Sequence, residues 1–361
     1  MKKLLVCTMV LLFAFAMTGC GNKKAELALI TDSGTIDDKS FNQGAWEGLV
    51  KYAEEKNISK QFYKPEEKSV AAYAAAIDLA VKGGAKVVVA PGDFFSDVVF
   101  NAQEQYPDVK FILIDGVPHN ADFSVTNIAP NTVGITYAEE QAGFLAGYAA
   151  VKDGLTKLGF MGGAKVPSVV RFGYGFVQGA EYAATELGLA DASIEIKYHY
   201  TGDFIATPEI QALTAAWYTG GTECVFACGG AANQSVMAAA DVTGAKVIGV
   251  DVDQSADSPS VITSAMKSLG SSVYDTIASY YANAFPGGEN LVFSAENNGI
   301  ALAMETAKFK TFSQADYDAI YAKLVNDTDN VVSNIINMPA EDGSVAGANL
   351  PLRAVAINEA A

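Results

Sequence analysis

The chain has 361 residues, half of them apolar and 18% charged, with 24 basic against 41 acidic side chains and a formal net charge of -17. That length supports two domains with real cores, and so apolar a chain is not disordered in bulk. The acidic excess is spread along the chain and no basic stripe interrupts it, which argues against nucleic acid as a partner.

Lys2 and Lys3 precede an apolar stretch, Leu4 to Met17, too short and wrongly flanked for a stable membrane span. Thr18-Gly19-Cys20 follows at once and resembles the lipobox of bacterial lipoproteins. In that pattern residues 1–20 are a signal peptide, and Cys20 becomes the lipid-bearing first residue of a chain anchored outside the cytoplasm. The alternative is a plain secretory signal with a chance cysteine.

The mature chain opens on an apolar run, Leu27 to Ile30, then a polar loop, then an amphipathic run from about Ser40. That order predicts strand, loop, helix. In α/β domains such a loop, at the C-terminal end of a strand, is where ligands are met. It carries Asp32, Asp37, Asp38, Ser40, Phe41 and Asn42. Strands are expected at 62–63, 86–90 and 110–114, with helices over 66–82 and 94–105 between them and a further short run at 125–128. A small-residue helix spans about 138–151. The pattern then restarts, with strands at 158–161, 194–198, 225–227 and 246–250 and helices at 171–187, 208–219 and 232–241. A short strand from 261 and a helix follow, then a strand at 291–293, a helix over 313–325 and an ill-defined last thirty residues. Alternating strands and helices imply parallel sheets. Read without further help, the chain is two doubly wound units in tandem, facing each other as a clamshell.

Nucleotide and hydrolase motifs are missing. No G-x-G-x-x-G follows the first strand, and there is neither a Walker A motif nor a G-x-S-x-G elbow. His119 and His199, the only histidines, stand in different motifs and make no metal site by spacing. Cys224 and Cys228 share a face of one strand, roughly 13 Å apart, too far for a disulfide; they read as buried thiols. No metal or cofactor is expected.

The strand ends carry a better constellation. Asp115 and Asp251 close strands, where a carboxylate can accept from vicinal hydroxyls such as a ribose offers, or can simply cap a turn. Lys267 could neutralise one of them or donate to a ligand oxygen; a solvated lysine is the alternative. Phe41, Phe172 and Phe204 stand in loops or at helix starts, consistent with stacking on a flat ligand or with ordinary packing. Asn42 donates and accepts, and can read a purine edge, while Asp38 could accept from a ring N–H.

These residues sit in longer strings. Asp37-Asp38-Lys39-Ser40-Phe41-Asn42 and Gly249-Val250-Asp251-Val252-Asp253-Gln254 are the specific ones, supported by Arg171-Phe172-Gly173-Tyr174-Gly175-Phe176, Gly202-Asp203-Phe204 and Thr263-Ser264-Ala265-Met266-Lys267. Together they resemble the basic membrane protein family of PnrA-like purine nucleoside receptors, lipoproteins that bind substrate for ABC transporters. The resemblance implies an α/β type I periplasmic-binding-protein fold, two doubly wound parallel-sheet lobes joined by a hinge of three crossovers. It divides the chain into lobe one, 25–128 and 264–290, and lobe two, 129–263 and 291–361. It implies a purine stacked by Phe41 and Phe204 with Phe172 beside them, Asp38 and Asn42 toward the base, Asp115, Asp251 and Lys267 toward the ribose, and Gly229 admitting the ligand close to the backbone; Asp32 is counted among the ligand-binding residues as well. The loop 203–208 is less typical of the family, which bears on Phe204. The implied function is capture of inosine, guanosine or adenosine by a non-enzymatic monomer. Its implied partners are membrane permease and ATPase subunits, and the membrane itself through lipid on Cys20. A sugar or autoinducer receptor of the same fold, a nucleoside hydrolase using Asp37 and Asp38, and an adhesion or structural lipoprotein are the competing readings.

Overall fold

The computed structural model describes residues 24–336 and 350–359; the leader and Cys20 lie outside them. The apolar runs form strands because a parallel sheet covered on both faces has no wet side. Thus β1 (Leu27–Ile30), β3 (Val87–Pro91) and β8 (Cys224–Cys228) are buried along their whole length.

The first sheet also takes β2 (Lys60–Tyr63), β4 (Lys110–Ile114), β5 (Thr132–Tyr137) and β11 (Asn290–Phe293), in the order β11-β5-β4-β3-β1-β2, parallel throughout. The second is β12-β10-β9-β8-β6-β7-β13, built from β6 (Lys157–Gly162), β7 (Ile194–Tyr200), β9 (Lys246–Asp251), β10 (Val261–Lys267), β12 (Ile300–Leu302) and β13 (Val355–Glu359). It is parallel except where β12 runs against β10. Helices α1 (Phe41–Lys56), α2 (Val70–Lys82), α3 (Ser96–Gln105) and α8 (Leu269–Tyr281) cover the first sheet. The second is covered by α4 (Glu139–Lys152), α5 (Pro167–Glu186), α6 (Pro208–Thr219), α7 (Asn233–Thr243) and α9 (Gln314–Asn326), with a single turn, α10 (Val331–Asn334), behind it.

The small-residue helix α4 packs closely on α5. A β-carbon at Gly143 would lie 2.0 Å from the Phe172 carbonyl oxygen, and one at Gly175 would lie 1.9 Å from that of Glu140. The two helices therefore meet backbone to backbone, which only glycine permits there.

The chain passes between sheets three times, at β5–α4, β10–α8 and β11–β12. The tandem reading without the discontinuity is thereby corrected. The crossings also fall later than boundaries at 128, 263 and 290 would place them. Strand β5 reads Thr-Val-Gly-Ile-Thr-Tyr, and its threonines and glycine hide it from a reading by apolar periodicity, which settles on the 125–128 run instead. That run is loop, held by one bridge between His119 and Thr126. The crossings are tied together. Ala138 N–H donates to Phe293 O (2.8 Å), Ser268 N–H to Gly299 O (2.9 Å), and Ala295 N–H to Gln141 Oε1 (2.9 Å).

Candidate functional site: an acidic cleft between the lobes

The C-terminal ends of both sheets face one another across a cleft with about 550 Å³ of empty space, its open mouth included. Nine of the ten expected ligand-binding residues line it: Asp32, Asp38, Phe41, Asn42, Asp115, Phe172, Phe204, Asp251 and Lys267. The tenth, Gly229, stands one residue behind the wall. A β-carbon there would press on Ala232 and Gly163, and Gly230 is the residue that faces the cleft. Asp37, one of the two residues on which a hydrolase reading leans, accepts from Thr35 on an exposed part of the loop and does not line the cleft.

The loop after β1 is organised by its own carboxylates. Asp38 accepts from the backbone N–H groups of Ser40 (2.9 Å), Asn42 (3.0 Å) and Gln43 (3.1 Å), and from the Asn42 side-chain amide (2.8 Å). It thereby satisfies donors at the start of α1 that have no partner within the helix. The same Asn42 Nδ2 donates to Asp32 Oδ1 (2.8 Å), and Asn42 Oδ1 accepts from Asp32 N–H (3.3 Å). Asp38 and Asn42 thus build the loop, and the base-reading role expected of them has little capacity left. Asp32 keeps Oδ2 clear of such bonds. Burial pushes its carboxyl up to about 6.

The strand-end site is different. Asp115 and Asp251 end equivalent strands of the two sheets, and both adopt left-handed backbone angles, φ 60° and 68°. Few residues other than glycine tolerate that region, and aspartate is one of them. Between them lies Lys267, whose side chain is 2% exposed. Its Nζ is 2.5 Å from Asp115 Oδ2, 3.4 Å from Glu139 Oε1 and 3.6 Å from Asp251 Oδ1. Burial opposes the ammonium charge, but the three carboxylates outweigh it and hold Lys267 above the ordinary lysine range. Burial raises Asp115 to about 7 and raises Asp251 too, against the pull of Lys267. Asp251 Oδ2 accepts from Ser40 Oγ (2.6 Å) on the opposite lobe, whereas Asp115 Oδ1 is buried without any partner.

Glu139 is a residue that reading the sequence missed. It is fully buried at the start of α4 and bonded by Arg171 Nε at 2.6 Å. Burial would raise its carboxyl, but Arg171 and Lys267 hold it below the usual range. Arg171 stood in a quoted motif, but nothing in its spacing showed that a carboxylate from another helix would meet it. Asp93 and Phe94, which follow β3, and Ser168, at the start of α5, also line the cleft.

The aromatic rings are arranged around this core. Lys267 Nζ lies 4.8 Å from the centre of the Phe41 ring and 5.3 Å from that of Phe172, which come from opposite lobes. Phe204 seats on Gly163, where a β-carbon would come within 2.4 Å of the ring, and meets Phe94 across the mouth edge-on at 6.2 Å. Lys68 closes that mouth, 4.2 Å above the Phe94 ring and 3.7 Å from Asp203. Cys228, at the end of β8, also lines the cleft; burial holds its thiol, like that of Cys224, well above the usual range.

Two discontinuous α/β lobes closing on a polar and aromatic cleft define a substrate-binding protein of the periplasmic-binding type. Residues 25–341 match the family of ABC transporter substrate-binding proteins described as PnrA-like, Bmp, and the chain belongs to that family. It is 29% identical over 310 residues to the ABC transporter nucleoside-binding protein BmpA of Lactococcus lactis subsp. cremoris, covering 80% of this chain and 84% of that protein. It is 31% identical over 334 residues to basic membrane protein A1 of Borrelia garinii subsp. bavariensis, covering 90% and 94%. A solute-binding protein of an ABC transporter system from Aeropyrum pernix K1 has the same fold, with a TM-score of 0.70 at 22% identity, covering 88% of both chains. One from Conexibacter woesei gives 0.64 at 22% identity, covering 84% of this chain and 97% of that one. The protein is therefore an extracytoplasmic transport receptor and not an enzyme, and a membrane transporter is its partner. Among the described residues no helix is long and apolar enough to cross a membrane.

Proposed function

We propose that this receptor captures purine nucleosides and delivers them, from a lipid anchor on Cys20, to a permease driven by an ATPase. One observation carries the reading. Asp115 Oδ1, buried and unpartnered, stands beside Lys267, whose ammonium lies between the Phe41 and Phe172 rings. A polar acceptor and donor pair adjoining an aromatic wall suits a ligand with a hydroxylated sugar at one end and a flat base at the other. Hydrogen bonds from hydroxyls to such charged groups stabilise by about 1.5–3 kcal/mol each. Aromatic stacking adds about 0.5–1.5 kcal/mol beyond burial. The nucleoside-binding relative in Lactococcus supports the same class of ligand.

The lining carries Asp32, Asp38, Asp93, Asp115 and Asp251 against Lys267, so a phosphate entering it meets net repulsion. Calorimetry with inosine, guanosine, adenosine, ribose and AMP tests both halves. The nucleosides are expected to bind at least about 100-fold more tightly than ribose, because ribose lacks the stacking face and so forfeits roughly 2.7 kcal/mol. AMP is expected to bind more weakly than adenosine. Ribose binding as well as inosine would return the site to a sugar receptor. AMP matching adenosine would remove the electrostatic argument.

A further inference from the structure

We propose that Gln254, which does not itself line the cleft, is a positioning residue that sets how long the lobes stay closed on the ligand. Its side chain is completely buried and its amide can face only one way. Oε1 accepts from Val250 N–H (3.0 Å) and from Asn233 Nδ2 (3.2 Å), both on its own lobe. An oxygen is required at that position, so the NH₂ group points outward, and it donates to the Lys39 carbonyl of the opposite lobe at 2.7 Å. Its backbone N–H is fixed in turn by Ser264 Oγ (3.0 Å).

Everything this strut holds across the loops lines the cleft or adjoins residues that do. Val250 precedes Asp251. Asn233 accepts from Gly229 N–H (2.9 Å), next to the wall residue Gly230. Lys39, in a left-handed backbone conformation at φ 61°, precedes Ser40 and Phe41. Gly249 makes room for the arrangement, since a β-carbon there would sit 2.7 Å from Gln254 Oε1. Beside the strut run two more links between the same loops: Ser40 Oγ to Asp251 Oδ2 at 2.6 Å, and Lys39 Nζ to Asp257 Oδ1 at 3.9 Å. The lysine pair is half exposed and weak. The Gln254 bond is part-buried and joins one lobe to the other, so it stabilises the closed state.

Gln254→Glu tests this. Glutamate keeps the size and the acceptor toward Val250. When ionised it turns an oxygen onto the Lys39 carbonyl; when protonated it can donate there as glutamine does. Inosine dissociation, followed by stopped-flow intrinsic fluorescence, is expected to be about five- to tenfold faster than wild type at pH 8, the size of one neutral hydrogen bond. The ratio should approach one at pH 5, with association little changed. Ser40→Ala, which leaves the Gln254 bonds within its own lobe intact, is expected to speed dissociation at both pH values. Dissociation of both variants equal to wild type, or a Gln254→Glu defect that ignores pH, overturns the proposal. The kinetic arm rests on the nucleoside reading. If wild-type protein binds no inosine, that reading fails, and the strut is judged from ligand-free scattering at pH 8. There a larger radius of gyration for Gln254→Glu supports it and an identical one overturns it.

Discussion

Two ends of the cleft use the same side chain for opposite purposes. At the loop end, Asp38 accepts from four donors of its own segment and holds α1 in place. At the strand end, Asp115 and Asp251 are held by a buried lysine, and Asp115 keeps one oxygen unpartnered. A carboxylate whose lone pairs are filled by backbone is a structural part. One whose partner is a single cation still has capacity for a ligand. The difference lies in the partners, and it separates stability from affinity.

Removing the cation should show the largest effect. Lys267→Met leaves Asp115, Glu139 and Asp251 without their shared counter-charge, and breaking a buried pair in this way costs about 3–5 kcal/mol. Both the melting temperature and nucleoside affinity are expected to fall, the affinity by more than about 100-fold in calorimetry. Asp115→Asn should divide the two properties. Affinity is expected to drop about 10- to 100-fold through loss of a charged acceptor, while the melting temperature holds or rises. The loop end should give the reverse. Asp38→Ala is expected to lose about 1–2 kcal/mol in denaturant unfolding, as for a helix-start acceptor, with a smaller loss of affinity than Asp115→Asn. If Asp38→Ala proved as stable as wild type, the contrast between the two ends would collapse.

The smallest effect expected is on pH. Burial raises Asp115 and Glu140 to about 7 and Asp32 to about 6 in the folded protein. From about pH 4 upward the unfolded chain has already released these protons while the folded chain retains them, so stability falls as pH rises through this window. Ligand-free protein should melt higher at pH 5 than at pH 8. Nucleoside affinity should move the other way, because a protonated Asp115 no longer accepts as a carboxylate. A melting temperature that rises from pH 5 to pH 8 would contradict the burial of these acids.

Much of this was legible beforehand because it was local. Asp115 and Asp251 announced themselves by ending buried strands, and Phe41 by standing at a helix start. What stayed hidden involved partners distant in sequence. Glu139 and Arg171 are 32 residues apart and meet only because glycines bring α4 against α5. Strand β5 was missed since polar Thr132 and Thr136 and flexible Gly134 dilute its pattern, and its burial comes from neighbours on both sides.

The sequence by itself determined the alternation of strands and helices, the loops at strand ends and most of the residues those loops present, since each follows from short-range periodicity and turn chemistry. Only the tertiary structure decided which carboxylate serves the backbone and which stays available, and that Gln254 reaches the other lobe. Those outcomes depend on donors and charges brought together from far along the chain, and no spacing within a segment records them.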